Sequence, residues 1–392
     1  MRRRKLLVCA WLLPLAFGAP SVAVAQDTVG EVVGFLMTNQ AVPTGDVERD
    51  RAAAEGARDT ISRALVVNLT SGPIATSSSG FLYRLNPQLG TVERATESFG
   101  GFFIERALTS GRGHQSLGVS TTTSAFDRLD GRNLRDGSLV TLANRFRDEA
   151  APFETDTLTL RIRTSTLTLF GSFGVTDRLE LGAAVPFVRL TLQGERVTVY
   201  RATTSLQASG NASASGIADV AVRGKYTILA GRSGGVAAAA EVRFPTGDDR
   251  NLLGTGSASY RLVGIGSFEQ GRLSLHGNAA VLRGGISAEW SADGGVSVAV
   301  RPRLTLSAEV LTRRLSQLHD MDLVAAPHPG IPGADTLRLS PGASPTTLSQ
   351  AVTGLKWNIT RTMVLGGHVA WALVHRGLTT AATPTLALEY AF

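Results

Sequence analysis

The sequence predicts an all-β protein that closes into an antiparallel, membrane-spanning β-barrel. Three observations support this fold: an N-terminal secretion signal, many short segments in which apolar and polar residues alternate, and an apolar C-terminal strand that ends in an aromatic residue. Strands of membrane barrels alternate lipid-facing apolar with lumen-facing polar residues over about 10 positions. We count about fourteen such strands, with twelve as the alternative.

Residues 1–25 have the composition of a signal peptide. Positive charges from Arg2 to Lys5 precede an apolar run over residues 6–17, and small residues precede Gln26. A membrane-spanning helix needs about 20 apolar residues, and this run is shorter. We expect cleavage after Ala25, followed by insertion into the outer membrane of a Gram-negative-type bacterium.

Charge and cysteine content exclude several classes of protein. The formal net charge is +7, but four positive charges lie in the signal peptide, which leaves +3 on the mature chain. Lys225 and Lys356 are its only lysines and the arginines are scattered, so no basic patch predicts nucleic-acid binding. Cys9, the only cysteine, lies in the signal peptide, so the mature chain has no disulfide.

The sequence has no phosphate-binding Gly-x-x-x-x-Gly-Lys-Ser/Thr motif, and we expect passive transport without a cofactor.

Alternation within the segments predicts which side chains face the lumen. In the segment 303–313, Leu306 and Val310 fall on one face, whereas Thr305 falls on the other. The lumen-lining candidates are Asp219, Arg223, Lys225, Glu241, Arg243, His276, Arg303, Glu309, Arg313, Lys356, His368 and Glu389. Because both signs of charge occur among them, they either filter solutes or pair with one another and fill the lumen.

Two segments change phase midway. Leu158, Leu160 and Ile162 have one parity, whereas Leu167 and Leu169 have the other. We predict a β-bulge at residues 164–166 and a second bulge after Pro186, because one extra residue restores the alternation.

Connections alternate between short and long, which is typical of short periplasmic turns and long outer loops. The longest predicted loops cover residues 127–155, 201–213 and 317–345. The predicted barrel covers residues 77–392, and its first hairpin, 77–86 with 99–109, is the least periodic. Residues 26–76 instead predict a helix, because Ile61, Leu65 and Leu69 recur every four residues. This segment plugs the lumen or docks beneath it; a periplasmic extension without a gating role is the alternative.

The last strand places Leu386, Leu388, Tyr390 and Phe392 on one face. It resembles the terminal signal by which the barrel-assembly machinery recognises its substrates, which makes Leu388, Tyr390 and Phe392 candidate assembly residues. The expected partners of this monomeric protein are therefore the barrel-assembly machinery, outer-membrane lipid and a small-molecule solute.

Sequence stretches between residues 167 and 268 resemble a known family. They read GVTDRLEL at 174–181, GIADV at 216–220, RGKY at 223–226, EVRFPTGD at 241–248 and LLGTG at 252–256. They resemble outer-membrane transporters linked to meta-pathway phenol degradation, a family grouped loosely with the long-chain fatty-acid channels. The resemblance implies uptake of small hydrophobic or aromatic solutes. The Asn-Pro-Ala motif of the fatty-acid channels has no counterpart, since Gln88 follows Asn86-Pro87.

Two alternative functions remain open. The long outer loops allow a structural or adhesive barrel with a filled lumen. His319, Asp320 and Asp322 allow a hydrolase with an acid–base cluster at the outer rim, although we expect no enzyme because His and Asp at this spacing are common in loops. We expect no metal site, and interpret Asp248 and Asp249 as part of a solvated turn.

Overall fold

The computed structural model describes residues 27–38, 41–70, 83–86, 91–94, 98–201, 203–231, 233–360 and 362–392. These include two helices, α1 (Val29–Thr38) and α2 (Val47–Thr70). The strands are β1 (Tyr83–Asn86), β2 (Thr91–Arg94), β3 (Gln115–Leu129), β4 (Arg132–Asn133), β5 (Leu139–Phe146), β6 (Glu154–Gly174), β7 (Leu179–Tyr200), β8 (Thr203–Ile217), β9 (Val220–Gly231), β10 (Gly234–Phe244), β11 (Ser259–Gln270), β12 (Leu273–Gly284), β13 (Glu289–Arg301), β14 (Leu304–Pro327), β15 (Ala334–Asn358), β16 (Met363–Ala372), β17 (Leu378–Thr380) and β18 (Thr383–Ala391). No described helix is long and apolar enough to cross a membrane. The signal peptide and its cleavage site lie outside the described residues.

Twelve strands close into one antiparallel barrel. Their order is β3, β6, β7, β9, β10, β11, β12, β13, β14, β15, β16 and β18. The ring closes because β18 pairs with β3, with Ala387 opposite Ser120, and β3 pairs in turn with β6. The all-β barrel is therefore confirmed, with twelve strands rather than fourteen.

The predicted first hairpin accounts for the difference in strand number. Strand β1 pairs with β2 in a separate two-stranded sheet, and no described residue between 98 and 110 is in a strand. Residues 77–82 lie outside the described residues. The apolar side chains that suggested a strand, including Phe99, Ile104 and Ala107, are buried inside the barrel instead.

The two predicted bulges are wrong. Strands β6 and β7 pair without a register shift from Glu154 opposite Tyr200 to Gly174 opposite Glu180. Even-numbered residues of β6 are turned inward along its whole length, so the outer half buries Ile162 and the inner half exposes Leu167. The apparent change of phase is a change of environment along an unbroken strand.

Strand length explains this change of environment. Strands β9 to β13 have 11 to 13 residues. This is close to the length of a strand that crosses a bilayer, which is about 9–11 residues. Strands β6, β7, β14 and β15 have 21 to 25 residues and continue past the membrane on the side opposite the short turns, which we assign to the cell exterior. The loops predicted at 127–155, 201–213 and 317–345 lie mostly in these extensions and in β4, β5 and β8.

The two helices occupy the outer mouth of the barrel. Helix α1 begins with a reciprocal cap, in which Thr28 and Glu31 each bond the other's backbone N–H, at 2.7 and 3.3 Å. Helix α2 corresponds to the predicted helix, and Ile61 and Leu65 of its predicted face are buried. Both helices pack against inward apolar side chains of the extended strands, in a core that includes Leu160. The segment therefore lies within the outer mouth rather than beneath the barrel.

Candidate functional site

The barrel strands have an exposed apolar outer face and a polar inner face. Val222, Val310 and Leu355 point outward and are 44–47% exposed. Eleven of the twelve predicted lumen residues have inward side chains: Asp219, Arg223, Lys225, Glu241, Arg243, His276, Glu309, Arg313, Lys356, His368 and Glu389. Arg303 differs because it lies exposed in the turn between β13 and β14, beyond the point where Arg301 pairs with Leu304.

A segment of the chain's own N-terminal part occupies the inner half of the lumen. We call residues 98–110, which precede β3, the plug segment. Glu309 accepts the backbone N–H of Phe103 at 3.0 Å and also that of Phe102. Lys356 Nζ donates to the carbonyl of Gly101 at 2.5 Å and lies 4.7 Å from the ring centre of Phe102. Two predicted lumen charges thus bind backbone groups of the plug segment.

The periplasmic end of the plug segment is held by a second group of wall residues. Thr227 donates its hydroxyl to the carbonyl of Ala107 at 2.6 Å, and the N–H of Ala107 donates to Ser267 at 2.8 Å. Lys225 donates to the carbonyl of Leu108 at 3.1 Å. Because these side chains come from β9 and β11, the segment is held by strands on either side of β10.

Ion pairs also join the plug segment to the wall. Glu105 pairs with Arg223, and Arg106 pairs with Glu269 at 3.7 Å. Arg106 is 1% exposed and also donates to the carbonyl of Ser98. Removing one partner of a buried ion pair leaves an uncompensated charge, so these contacts oppose displacement of the segment.

Another set of charges pairs across the wall itself. Arg313 makes a two-point contact with Glu289, at 2.6 and 3.0 Å, and Arg261 reaches the same carboxylate at 3.3 Å. Glu241 pairs with Arg243 at 2.7 Å. The alternative of mutual salt bridges, which the sequence left open, therefore describes these residues.

Sequence reasoning missed several members of these networks. Arg261 and Glu289 lie on the inner face of β11 and β13, and alternation with the exposed Tyr260 and Trp290 was a signal that could have found them. Glu105 had no such signal, because it lies in a segment that has no regular structure.

The outer mouth has its own buried polar contact. Arg196, which is 0% exposed, donates to the carbonyls of Leu36 and Met37 at the end of α1, at 2.7 and 2.8 Å. Its guanidinium also pairs with Asp156 at 3.3 Å. Burial lowers the pKa of Arg196, and the Asp156 carboxylate opposes this shift. One side chain thus satisfies helix-terminal carbonyls of α1 and fixes the helix to the barrel extension.

The helices α1 and α2 close the lumen at its outer mouth and the plug segment closes its inner half, and we call these the two closures. A cavity of about 230 Å³ lies between them. The end of α2, with Asn68 and Thr70, borders it on the outer side, and Phe103 of the plug segment borders it on the inner side. The remaining wall comes largely from serine and threonine side chains of the barrel strands. The lumen is therefore occupied at two levels with space between them.

The predicted acid–base cluster lies on strand β14 rather than in a loop. The carboxylate of Asp320 pairs with Arg376 at 2.7 Å and is therefore engaged in an ion pair, while Asp322 is exposed. In the predicted Asp248 turn, the carboxylate accepts the N–H of Arg250 and the side-chain amide of Asn251. Across the described part of the chain, no cluster of three or more His, Cys, Asp and Glu side chains could hold a metal ion.

Several solved structures are similar to this chain. An outer membrane channel from Pseudomonas putida F1, designated COG4313, is 13% identical, with a TM-score of 0.46 over 73% of this chain and 98% of that one. The P. putida toluene transporter TodX is 10% identical, with a TM-score of 0.35 over 75% of this chain and 98% of that one. A Pseudomonas aeruginosa FadL homologue is 12% identical, with a TM-score of 0.32 over 82% and 97%. No curated protein matches the chain.

The family comparison covers the middle of the barrel. It extends from β5 into β14 and includes the stretches at 174–181, 216–226 and 241–256 on which the resemblance was recognised from sequence. The resemblance is thus confirmed: residues 143–317, a little under half of this twelve-stranded barrel protein, match the family described as "Putative MetA-pathway of phenol degradation".

Proposed function

We propose that this protein is an outer-membrane channel that admits small, hydrophobic or aromatic solutes by passive diffusion. The observation that carries the proposal is the 230 Å³ cavity inside a closed barrel. Helix α2 borders it on the outer side and the plug segment on the inner side, and neither belongs to the barrel wall. A lumen with removable closures can conduct, whereas a lumen filled by wall side chains cannot.

The two closures differ in how they are held. Helices α1 and α2 bury apolar side chains against the extended strands in one large core. The plug segment combines two small apolar clusters, around Ile104 and around Ala107, with many hydrogen bonds and ion pairs to the wall. The neutral hydrogen bonds among these contacts, such as that of Thr227, exchange for water at a modest net free-energy change of about 0.5–1.5 kcal/mol each. The charge-assisted ones, made by Glu309 and Lys356, contribute about 1.5–3 kcal/mol each and hold the segment until it is displaced. We infer that the plug segment moves during passage and that the solute then crosses the cavity.

The solute class rests on the family match and on the wall chemistry. The description of the matching family names phenol degradation, and the TodX structure is that of a toluene transporter. The cavity joins hydroxyl groups to apolar groups such as Leu311, Leu348 and Phe126. Such a surface suits a small solute with an apolar body.

A second candidate function also has an observation in its favour. Both ends of the lumen are occupied, and β14 and β15 pair as far as Pro327 opposite Asp335, well beyond the membrane. A structural barrel that binds partners through this extension would need no open lumen.

Single-channel conductance of the refolded mature protein in a planar bilayer separates the two functions. We expect openings in the full chain, and larger or more frequent openings after deletion of residues 26–76, because that segment contains both helices. Silence in both forms would reject the channel and support the structural barrel. Asp136→Ala, in an exposed outer turn, serves as the matched control for refolding.

A further inference from the structure

The 230 Å³ cavity is bordered by a histidine whose ring nitrogens have no hydrogen-bonding partner among the described residues. His368, on the inner face of β16, is 6% exposed, and both of its ring nitrogens are buried without a hydrogen bond to any residue that the structure describes. Its ring lies 4.4 Å from the ring centre of Phe102 and 5.0 Å from that of Phe103. Buried polar groups are almost always hydrogen-bonded, so an imidazole bordering a cavity in this state indicates a ligand position.

The charged groups that border the cavity are already engaged. Arg313 is paired with Glu289, and Arg243 with Glu241. Asp219 accepts the N–H of Thr255 at 2.9 Å and a hydroxyl hydrogen bond from the same residue. An anionic solute would have to compete with these carboxylates for the guanidinium groups, so the cavity favours a neutral one.

The remaining wall groups are hydroxyls and apolar side chains. Thr164, Thr166 and Thr168 lie along one side of the cavity, on β6, and Leu311 and Ala370 lie near the histidine side. An apolar cavity of about 150 Å³ is large enough for benzene. A volume of about 230 Å³ therefore accommodates one ring together with a short polar substituent.

We propose that this cavity is a binding site for a small neutral solute with a single apolar ring and one hydrogen-bonding substituent, which is directed to His368. The assignment rests on the proposed channel function, because solute reaches the cavity along the lumen. It adds a stopping point within the passage and names the side chain that selects for polarity. Phe103 of the plug segment also borders this site. Binding of the solute and displacement of the plug segment are therefore coupled through Phe103.

The test uses the full mature protein, refolded in detergent micelles, with ¹³C-labelled histidine. The chain has six histidines, and His368→Phe assigns the resonance of His368 by its loss. Benzyl alcohol, as a neutral ring with a hydroxyl group, is expected to shift this resonance saturably. His276 is bonded to Ser267 at 2.9 Å and does not border the cavity, so its resonance is expected to stay unchanged.

Two further probes separate the parts of the proposal. Toluene, which lacks the hydroxyl group, is expected to bind on the order of tenfold more weakly, the loss for one buried hydrogen bond. Benzoate, which is anionic, is expected to give no saturable shift. Equal binding of toluene would overturn the role of His368, and equal binding of benzoate would overturn the preference for neutral solutes.

A second variant guards against misfolding of the first. Thr166→Phe fills the opposite side of the cavity and leaves His368 in place, so it is expected to abolish the shift caused by benzyl alcohol. An unchanged shift in this variant would place the ligand elsewhere and overturn the site. Equilibrium binding requires no flux: binding without conductance would reject the channel and keep the site, whereas conductance without binding would reject the site alone.

Discussion

Glu309 on β14 accepts the backbone N–H of Phe103 at 3.0 Å, inside the lumen of the barrel. The same carboxylate binds the N–H of the preceding residue, so one wall side chain fixes two consecutive peptide groups of the plug segment. The carboxylate is 4% exposed, which makes its hydrogen bonds charge-assisted and poorly replaced by water.

Replacing this carboxylate should loosen the plug segment. Each hydrogen bond to a charged group contributes about 1.5–3 kcal/mol, so Glu309→Ala is expected to speed hydrogen exchange at the amides of Phe102 and Phe103 by about tenfold or more. Hydrogen exchange of the refolded protein, read by mass spectrometry or NMR, measures this. Ser307→Ala, on the same face of β14, is the control and should leave both amides protected. Unchanged protection in Glu309→Ala would mean that the carboxylate does not hold the segment.

Arg196 should be required for docking of α1. Its removal leaves the buried Asp156 unpaired and the carbonyls of Leu36 and Met37 without a donor, for which we expect a loss of about 3–5 kcal/mol. Limited proteolysis should then cleave Arg196→Ala within α1 at protease concentrations that leave the parent chain intact. Arg51→Ala, which removes an exposed ion pair with Glu55, is the control. Equal resistance of both variants would contradict the role of Arg196.

The inside–outside assignment predicts a strong asymmetry between two arginine substitutions. Val310 points outward near the middle of the membrane-spanning part of β14, so Val310→Arg should destabilise the barrel by about 2–4 kcal/mol. Thr166→Arg points into the cavity and should cost far less. Urea unfolding in lipid vesicles gives both values. Equal losses would show that the assigned faces are wrong.

The last residue should matter for assembly. Phe392 and Gln115 exchange two backbone hydrogen bonds of 2.9 Å at the seam where the barrel closes, and Phe392 is 57% exposed. Phe392→Ser is expected to lower the yield of heat-modifiable barrel in the outer membrane several-fold. The loop substitution Asp136→Ala should leave the yield unchanged. Equal yields of the two variants would show that Phe392 does not act as an assembly signal.

Much of the barrel could be predicted because alternation is a local property. The outward positions of Leu306, Val222 and Leu386 follow from parity and hydrophobicity alone. The helix that contains Ile61 and Leu65 follows from its own spacing in the same way.

The plug segment could not be predicted because its conformation depends on distant partners. Phe99 and Ile104 have the composition of a strand, and only the barrel around them makes residues 98–110 a plug segment. Leu158 and Ile162 suggested a bulge because the sequence did not reveal that β6 leaves the membrane and packs against helices. Arg303 fits the alternation but lies one position beyond the strand.

The central claim is that the plug segment closes the lumen and that its movement opens a passage. Ser98 and Ser274 are hydrogen-bonded through their hydroxyl groups, and the mature chain has no cysteine. Cysteines at both positions therefore form one defined cross-link between the plug segment and β12. The most direct measurement is single-channel conductance of this double variant before and after reduction. We predict no openings in the oxidised form and openings like those of the parent chain after reduction. Equal openings in the oxidised and reduced forms would show that solute and ions pass without movement of the plug segment.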